Sequence, residues 1–244
     1  MPRFFLDKEF LSGATAVITG EDAAHIAFSL RMAAGERVTL CDGEGYDYHG
    51  IIESVSKDTV TVSLTEKIPS VSEPPYAIRL YQCLPKGEKF ESIIQKAVES
   101  GVTEIIPVQS SRCIALMKDS AAEKKLLRFN RIAKEAAKQS GRGALPKVLP
   151  PVRFKDAVKA MGESEIAFLC YENEEGLTLK GLLEGKDTPA SLAFLVGPEG
   201  GLSAEEVVLA REAGIPAVSL GNRILRTETA APFVLAVLCA RFEL

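Results

Sequence analysis

Two glycine-bearing segments in the last third of the chain hold the residue types from which a ligand pocket and a proton-handling group can be built. They are Gly197-Pro198-Glu199-Gly200-Gly201 and Leu220-Gly221-Asn222-Arg223-Ile224-Leu225-Arg226-Thr227-Glu228-Thr229-Ala230. Glycines at this density let the backbone come close to a bound molecule. Glu199 and Glu228 are the acids within the two segments and so the candidates for a general base. Arg226, with Arg223 near it, is a cation that can meet developing negative charge. The first segment alone is also explained as a tight strand-to-helix turn. Neither segment contains Gly-x-x-x-x-Gly-Lys-Ser/Thr or Gly-x-Gly-x-x-Gly, which places nucleotide-phosphate binding well behind other readings.

Each segment follows a short apolar run of buried-strand type, residues 192–196 and 217–220. After the first, Ser203 is placed to cap a helix over 204–213, with Glu206 as its capping-box partner. After the second, an apolar helix is predicted over 229–242. Two such loops on the carboxyl edge of one parallel sheet mark the place where open α/β sheets bind ligands. The same rhythm runs through the preceding stretch. Strands are predicted at 76–84, 105–108 and 166–171, and helices at 90–100 and from about 120 to 140. This alternation predicts a mostly parallel sheet with helices on both faces. Upstream, the β-branched runs at 15–18, 37–41, 46–55 and 59–64 predict a small β-barrel, interrupted by a helix over 21–32. Proline-dense residues 69–75 read as a linker, dividing the chain into domains 1–71 and 75–244.

The 244 residues are 46% hydrophobic and 25% charged, a globular balance that excludes disorder. No apolar run approaches the ~18–20 residues of a membrane span, and Met1-Pro2-Arg3-Phe4-Phe5 does not open an extended apolar segment, so a cytoplasmic location without a membrane partner is expected. Cys41, Cys83, Cys113, Cys170 and Cys239 are scattered and never spaced Cys-x-x-Cys, which argues against zinc or a disulfide framework and predicts buried reduced thiols. The net charge of −4 conceals an asymmetry. Residues 79–160 carry 17 basic and 8 acidic side chains, against 6 and 12 before them and 6 and 13 after. A basic middle of this kind suits a polyanion, although helices with lysine and arginine turned to water produce the same count.

Taken in order along the chain, these segments resemble the SPOUT methyltransferases, and specifically the RsmE-type enzymes that methylate uridine N3 in 16S ribosomal RNA. Besides the two glycine segments, the resemblance rests on Leu84-Pro85-Lys86-Gly87 with Gln95-Lys96-Ala97, Glu99-Ser100-Gly101-Val102-Thr103-Glu104-Ile105-Ile106-Pro107, and Glu135-Ala136-Ala137-Lys138-Gln139-Ser140-Gly141-Arg142. Leu30-Arg31-Met32 with Gly35, and Cys41-Asp42-Gly43-Glu44-Gly45, are similar to the family's N-terminal domain. Ser100 stands where the family pattern has Leu. The resemblance implies an α/β protein: a PUA-like small β-barrel, then a SPOUT domain whose C-terminal segment forms a trefoil knot, assembled as a homodimer. It implies S-adenosylmethionine as cofactor, at Leu195, Gly197, Gly200, Leu220, Ile224, Leu225 and Thr229.

For such a reaction Arg226 is the expected electrostatic catalyst, with Glu199 or Glu228 as base. Backbone bracing by Glu199 and an ion pair from Glu228 to Arg223 or Arg226 remain open. No metal is required. RNA contacts are expected from Arg3, Arg31, Lys86, Lys96, Arg112, Gln139 and Arg142, whereas His25 and His49 lie in the N-terminal domain, far along the chain from the cofactor loops. A SPOUT enzyme acting on another RNA or at ribose 2′-O, and an RNA-binding or assembly module without turnover, are the alternatives.

Overall fold

The computed structural model describes residues 1–11, 13–113 and 119–244. They form two compact units, Met1–Glu73 with Ala137–Leu145, and Pro74–Ala136 with Pro146–Leu244.

In the first unit β1 (Arg3–Phe5), β2 (Thr15–Thr19), β3 (Arg37–Cys41), β4 (Tyr46–Val55) and β5 (Thr59–Pro69) pair in the order β1-β3-β4-β5-β2, antiparallel except for β1 beside β3. Alternation assigns the faces: in β2, Ala16 and Ile18 are buried while Thr15, Val17 and Thr19 are exposed. Register shifts at His49/Gly50 and Ile52/Ser54 bend β4 over the core of Phe4, Ile18, Ile26, Leu40, Ile52 and Val62. Gly50 is needed at that bend because a Cβ there would overlap Val62. The sheet curls without closing into the expected barrel: among the described residues β1 and β2 are its edges, and β1 is only three residues long. The helix expected over 21–32 is a short α1 (Gly20–Ala24) continued by a π-turn, His25–Leu30, which ends at Arg31 with φ 53°. Met32 then donates its N–H back to Ile26 and turns into the core.

Residues 137–145 depart from the expected division at 71/75. Glu73 accepts from the backbone N–H groups of Gly143 (2.8 Å) and Ala144 (3.0 Å), and Leu145 donates to the carbonyl of Gly43 (3.0 Å). Arg142, expected to face RNA, is instead 2% exposed and ion-paired with Glu73 at 2.6 Å. A guanidinium buried against a carboxylate is a structural tie and leaves no head group for phosphate. The pairing also moves Glu73: burial raises its pKa, but Arg142 and the two N–H groups outweigh it and hold the carboxyl below its usual value.

The second unit is built on parallel strands β6 (Ala77–Cys83), β7 (Glu104–Gln109), β8 (Lys147–Val148), β9 (Val152–Arg153), β10 (Ile166–Cys170), β11 (Ser191–Val196) and β12 (Ala217–Val218). Their order is β12-β10-β11-β6-β7-β8, with β9 also on β7. Helices α2 (Lys89–Glu99), α3 (Asp119–Ser140), α4 (Phe154–Met161), α5 (Leu179–Leu183), α6 (Ala204–Glu212) and α7 (Thr227–Phe242) follow the same chain order, although the end of α3 belongs to the first unit. On one face Tyr81, Cys83, Ala193 and Leu195 pack with Phe154 and Met161 of α4 and with Val207 and Ala210 of α6. Alternation sends Leu192 and Phe194 to the other face, where α7 packs against α2 and β11. The C-terminal end of α7 is tied to the start of β6 through Tyr76, which meets Phe242 edge-on at 5.6 Å and donates its hydroxyl to Glu243 at 2.8 Å. Strands β8 and β9 and helices α4 and α5 go beyond the sequence-based expectation, because elements of two to eight residues show too little periodicity. No helix among the described residues is long and apolar enough to cross a membrane.

Candidate active site

All strands of this sheet are parallel, so the loops after β6, β10, β11 and β12 share one edge. The strand order reverses between β6 and β11, the kind of switch point beside which open α/β sheets bind ligands. A buried hydrogen-bond chain pins this edge. Gln82, fully buried, donates from Nε2 to Thr227 Oγ1 at 2.9 Å, and the Thr227 hydroxyl donates to the carbonyl of Gly197 at 2.7 Å. The end of β6, the loop after β11 and the first turn of α7 are thereby held together. On the far side of that loop α6 starts where the spacing requires: Ser203 Oγ accepts from Glu206 N, and Glu206 Oε2 accepts from Ser203 N. Glu206 Oε1 additionally accepts from Ser111 N at 2.7 Å. Helix α7 begins at Thr227, two residues earlier than expected, because Thr227 is needed for this chain and Arg226 takes the extended cap conformation (φ −65°, ψ 152°).

Between these loops lies a cleft of about 720 Å³, within the range typical of small-molecule sites. Gly197, Leu220, Ile224 and Leu225 line it, as do Glu199, Arg226 and Glu228. The other three expected cofactor residues are placed differently. Leu195 has no exposure and packs in the sheet core, Gly200 turns its carbonyl to Arg112 Nη1 at 2.8 Å, and Thr229 is exposed with its N–H on the carbonyl of Arg226. A wall that the sequence reading missed comes from the loop after β10, through Tyr171, Glu172, Glu174 and Glu175. Gly201, at φ +68°, is pressed against it, and a Cβ there would overlap the Glu172 carboxylate.

A second missed residue organises the charges. Lys89, the first residue of α2, places Nζ 2.9 Å from Glu199 Oε1 and 3.7 Å from Glu228 Oε2. Glu199 also accepts from the Lys86 N–H at 3.1 Å. Burial raises the Glu199 pKa, but Lys89 and the backbone donors outweigh it and lower the carboxyl overall. Glu228 pairs with Lys89 rather than with Arg223 or Arg226, and its Oε2 is buried without a hydrogen-bond partner. Cys113 differs from the expected buried thiol. It is half-buried and, through hydrogen bonds from Cys83 and Ser110 working against burial, is lowered to about 6.

Of the expected RNA-facing residues, Lys86 and Arg112 flank the 197–201 loop with exposed side chains, and Lys96 is exposed on α2. Arg31 and Gln139 are exposed in the first unit. Arg3 there is largely committed to Asp47, gripped by two hydrogen bonds of 2.7 and 2.8 Å.

Residues 72–239 match the RNA methyltransferase domain family, and residues 18–65 match the RNA methyltransferase PUA domain family. The ribosomal RNA small subunit methyltransferase E of Bacillus subtilis (strain 168) is 34% identical, covering 100% of this chain and 98% of the relative. This chain belongs to that family. The Mycobacterium tuberculosis member is 30% identical over 98% of this chain and 93% of its own length. The crystal structure of the Neisseria gonorrhoeae member bound to S-adenosyl methionine matches with a TM-score of 0.86 and 34% identity, covering 99% of this chain and 98% of that one. In this methyltransferase, then, the curled sheet belongs to the PUA-like domain, and the parallel sheet with its cleft belongs to the methyltransferase domain.

Proposed function

We propose that this protein transfers a methyl group from S-adenosylmethionine to N3 of a specific uridine in the 16S ribosomal RNA of the small subunit. The observation that carries the reading is one cleft in which two glycine loops, the Arg226 guanidinium and the carboxylates of Glu199 and Glu228 converge. Its size and glycine-lined wall fit the cofactor, and its acids, Glu172 and Glu175 among them, suit a ligand that carries positive charge. Gly197, Leu220, Ile224 and Leu225 would hold it, with Gly200 and Thr229 supporting the loops from outside and Leu195 from the core. When bound, S-adenosylmethionine supplies an electrophilic methyl group whose bonding pair stays on sulfur.

The chain's own groups must then align the acceptor, exclude water and handle the N3 proton. Arg226, exposed at the cleft, stabilises the negative charge that spreads onto the uracil oxygens as N3–H is lost. Glu228 is the stronger of the two base candidates, since Glu199 is already saturated by Lys89 and the Lys86 N–H. The uridine enters unpaired, because base pairing occupies N3. Lys86, Lys96 and Arg112, with Arg31 of the PUA-like domain and Gln139 of α3, serve as phosphate contacts that position the RNA without reading its sequence. Arg3 has a smaller part, being shared with Asp47.

Three further features belong to this reading: a C-terminal trefoil knot, a homodimer and a cytoplasmic location. The return of Thr227 from beyond the edge strand β12 to the carbonyl of Gly197 supports the first. Ile224, apolar and 85% exposed, supports a second copy against the loop. The test is mass spectrometry of 16S ribosomal RNA from cells lacking this chain. N3-methyluridine should disappear and return on complementation. Its persistence, with no second enzyme making it, or the loss of an alkali-resistant 2′-O-methylated dinucleotide instead, overturns the assignment.

A further inference from the structure

We propose that Lys89 is a positioning residue for methyl transfer, holding Glu199 and Glu228 as a pair on one wall of the cleft so that Glu228 is the carboxylate left to take the N3 proton. The inference rests on the reading of the cleft as an N3-methylation site. Lys89 opens α2, and a cation in the first turn of a helix faces the positive end of the helix dipole, so helix stability does not account for it there. Its contacts do. Nζ reaches Glu199 Oε1 at 2.9 Å, from the loop after β11, and Glu228 Oε2 at 3.7 Å, from the first turn of α7.

The two acids are not equivalent partners. Glu199 accepts from Lys89 and from the Lys86 N–H, at 3.1 and 3.4 Å to its two oxygens, so both oxygens are engaged. Glu228 Oε2 has the charge of Lys89 nearby but no hydrogen bond, and it is buried. The ammonium at 3.7 Å lies beyond hydrogen-bond distance, so Oε2 keeps an unused lone pair where both Glu199 oxygens are engaged. The proton of N3 passes to the Glu228 carboxylate, which lines the cleft, while the N3 electron pair forms the bond to the methyl carbon and the methyl–sulfur pair remains on sulfur. The charged groups around Glu228 are Lys89 from α2, Glu199 from the loop after β11 and Arg226 nearby in the chain, with Arg223, Glu172, Glu174 and Glu175 also lining the cleft. Removing the ammonium places two carboxylates against one wall without a shared cation. Like charges so placed cannot both stay ionised at the same pH as before, and one of them titrates higher.

The experiment uses the full-length protein with S-adenosylmethionine and small-subunit RNA, comparing wild type with Lys89→Gln and Lys89→Arg. In Lys89→Gln, kcat should fall by about 10²-fold or more, in the range of lost general-base assistance. Cofactor affinity by calorimetry should stay within about threefold, ~0.7 kcal/mol. The acid limb of the kcat–pH profile should move to higher pH. Without any RNA, ¹³C NMR titration should show a glutamate of the pair titrating higher. Lys89→Arg should restore kcat to within about fivefold, ~1 kcal/mol of barrier, and return the acid limb to its place. A loss of cofactor affinity equal to the loss of rate, an unmoved acid limb and titration, or failure of arginine to rescue overturns the proposal. Should Lys89→Gln not fold, Lys89→Arg decides by the same two readouts. A wild-type enzyme that leaves N3 unmethylated overturns the functional reading and this inference with it, whereas an active wild type beside an unaltered Lys89→Gln overturns the inference alone.

Discussion

Arg226 is exposed on the wall of the cleft, with its backbone carbonyl accepting from the N–H groups of Thr229 and Ala230, so its chain position is set by α7 while its guanidinium can turn toward a ligand. A group of this kind acts on charge that appears only as the reaction proceeds, and its removal should spare ground-state binding. Arg226→Ala is expected to hold S-adenosylmethionine within about tenfold of wild type, ~1.4 kcal/mol, while methyl transfer falls by about 10²–10³. Calorimetry and single-turnover kinetics measured on the same preparation check this. An unchanged rate, or a rate loss matched by lost affinity, would remove Arg226 from the electrostatic role.

At the scale of elements, three pieces of chain from distant parts of the sequence meet at one buried hydrogen-bond relay, from Gln82 at the end of β6 through Thr227 of α7 to the carbonyl of Gly197 after β11. Valine matches threonine in shape but lacks the hydroxyl. Thr227→Val strands the Gly197 carbonyl and removes one of the two acceptors of Gln82 Nε2, since only the Cys83 carbonyl remains. Leaving a buried polar group unmet costs about 1–3 kcal/mol, which urea unfolding should register. Cofactor affinity should fall along with it, because the two loops would no longer be locked in register. Stability equal to wild type would mean that the relay does not hold the edge. The Ser203–Glu206 capping box plays the corresponding local part for α6, and it is visible in the spacing because both partners lie within one helical turn.

For the molecule as a whole, Glu73 and Arg142 bind the 137–145 segment to the curled sheet's unit although they are 69 residues apart in sequence. Breaking a buried pair by removing one partner costs about 3–5 kcal/mol, because the other charge stays behind without compensation. Arg142→Ala should therefore lower the unfolding midpoint strongly while leaving the cleft chemistry of surviving folded protein intact. The pH dependence has a definite sign. Glu73 has a folded pKa below its unfolded value of 4.5, so its contribution is fully present above that value and is lost as pH falls through the folded pKa. In Arg142→Ala the acid-induced loss of stability below pH 4.5 should be shallower than in wild type. A denaturant series across that pH window measures it, and parallel curves for the two proteins would contradict the assignment.

Local chemistry sufficed for much of this molecule. Apolar runs and alternation placed the principal strands, the Ser203–Glu206 spacing placed α6, and glycines beside Glu199, Arg226 and Glu228 located the cleft, because each signal is complete within a few consecutive residues. The family resemblance rested on the same local segments. Only the tertiary structure could show that Lys89 meets Glu199 across 110 residues, that the loop after β10 supplies a wall, that Leu195 faces the core, or that Arg142 is buried against Glu73. An ion pair between distant positions has no period and no spacing, and a basic residue has the same composition whether it meets phosphate or carboxylate. Which of the two it meets is decided by the packing that closes the sheet edges and brings those positions together.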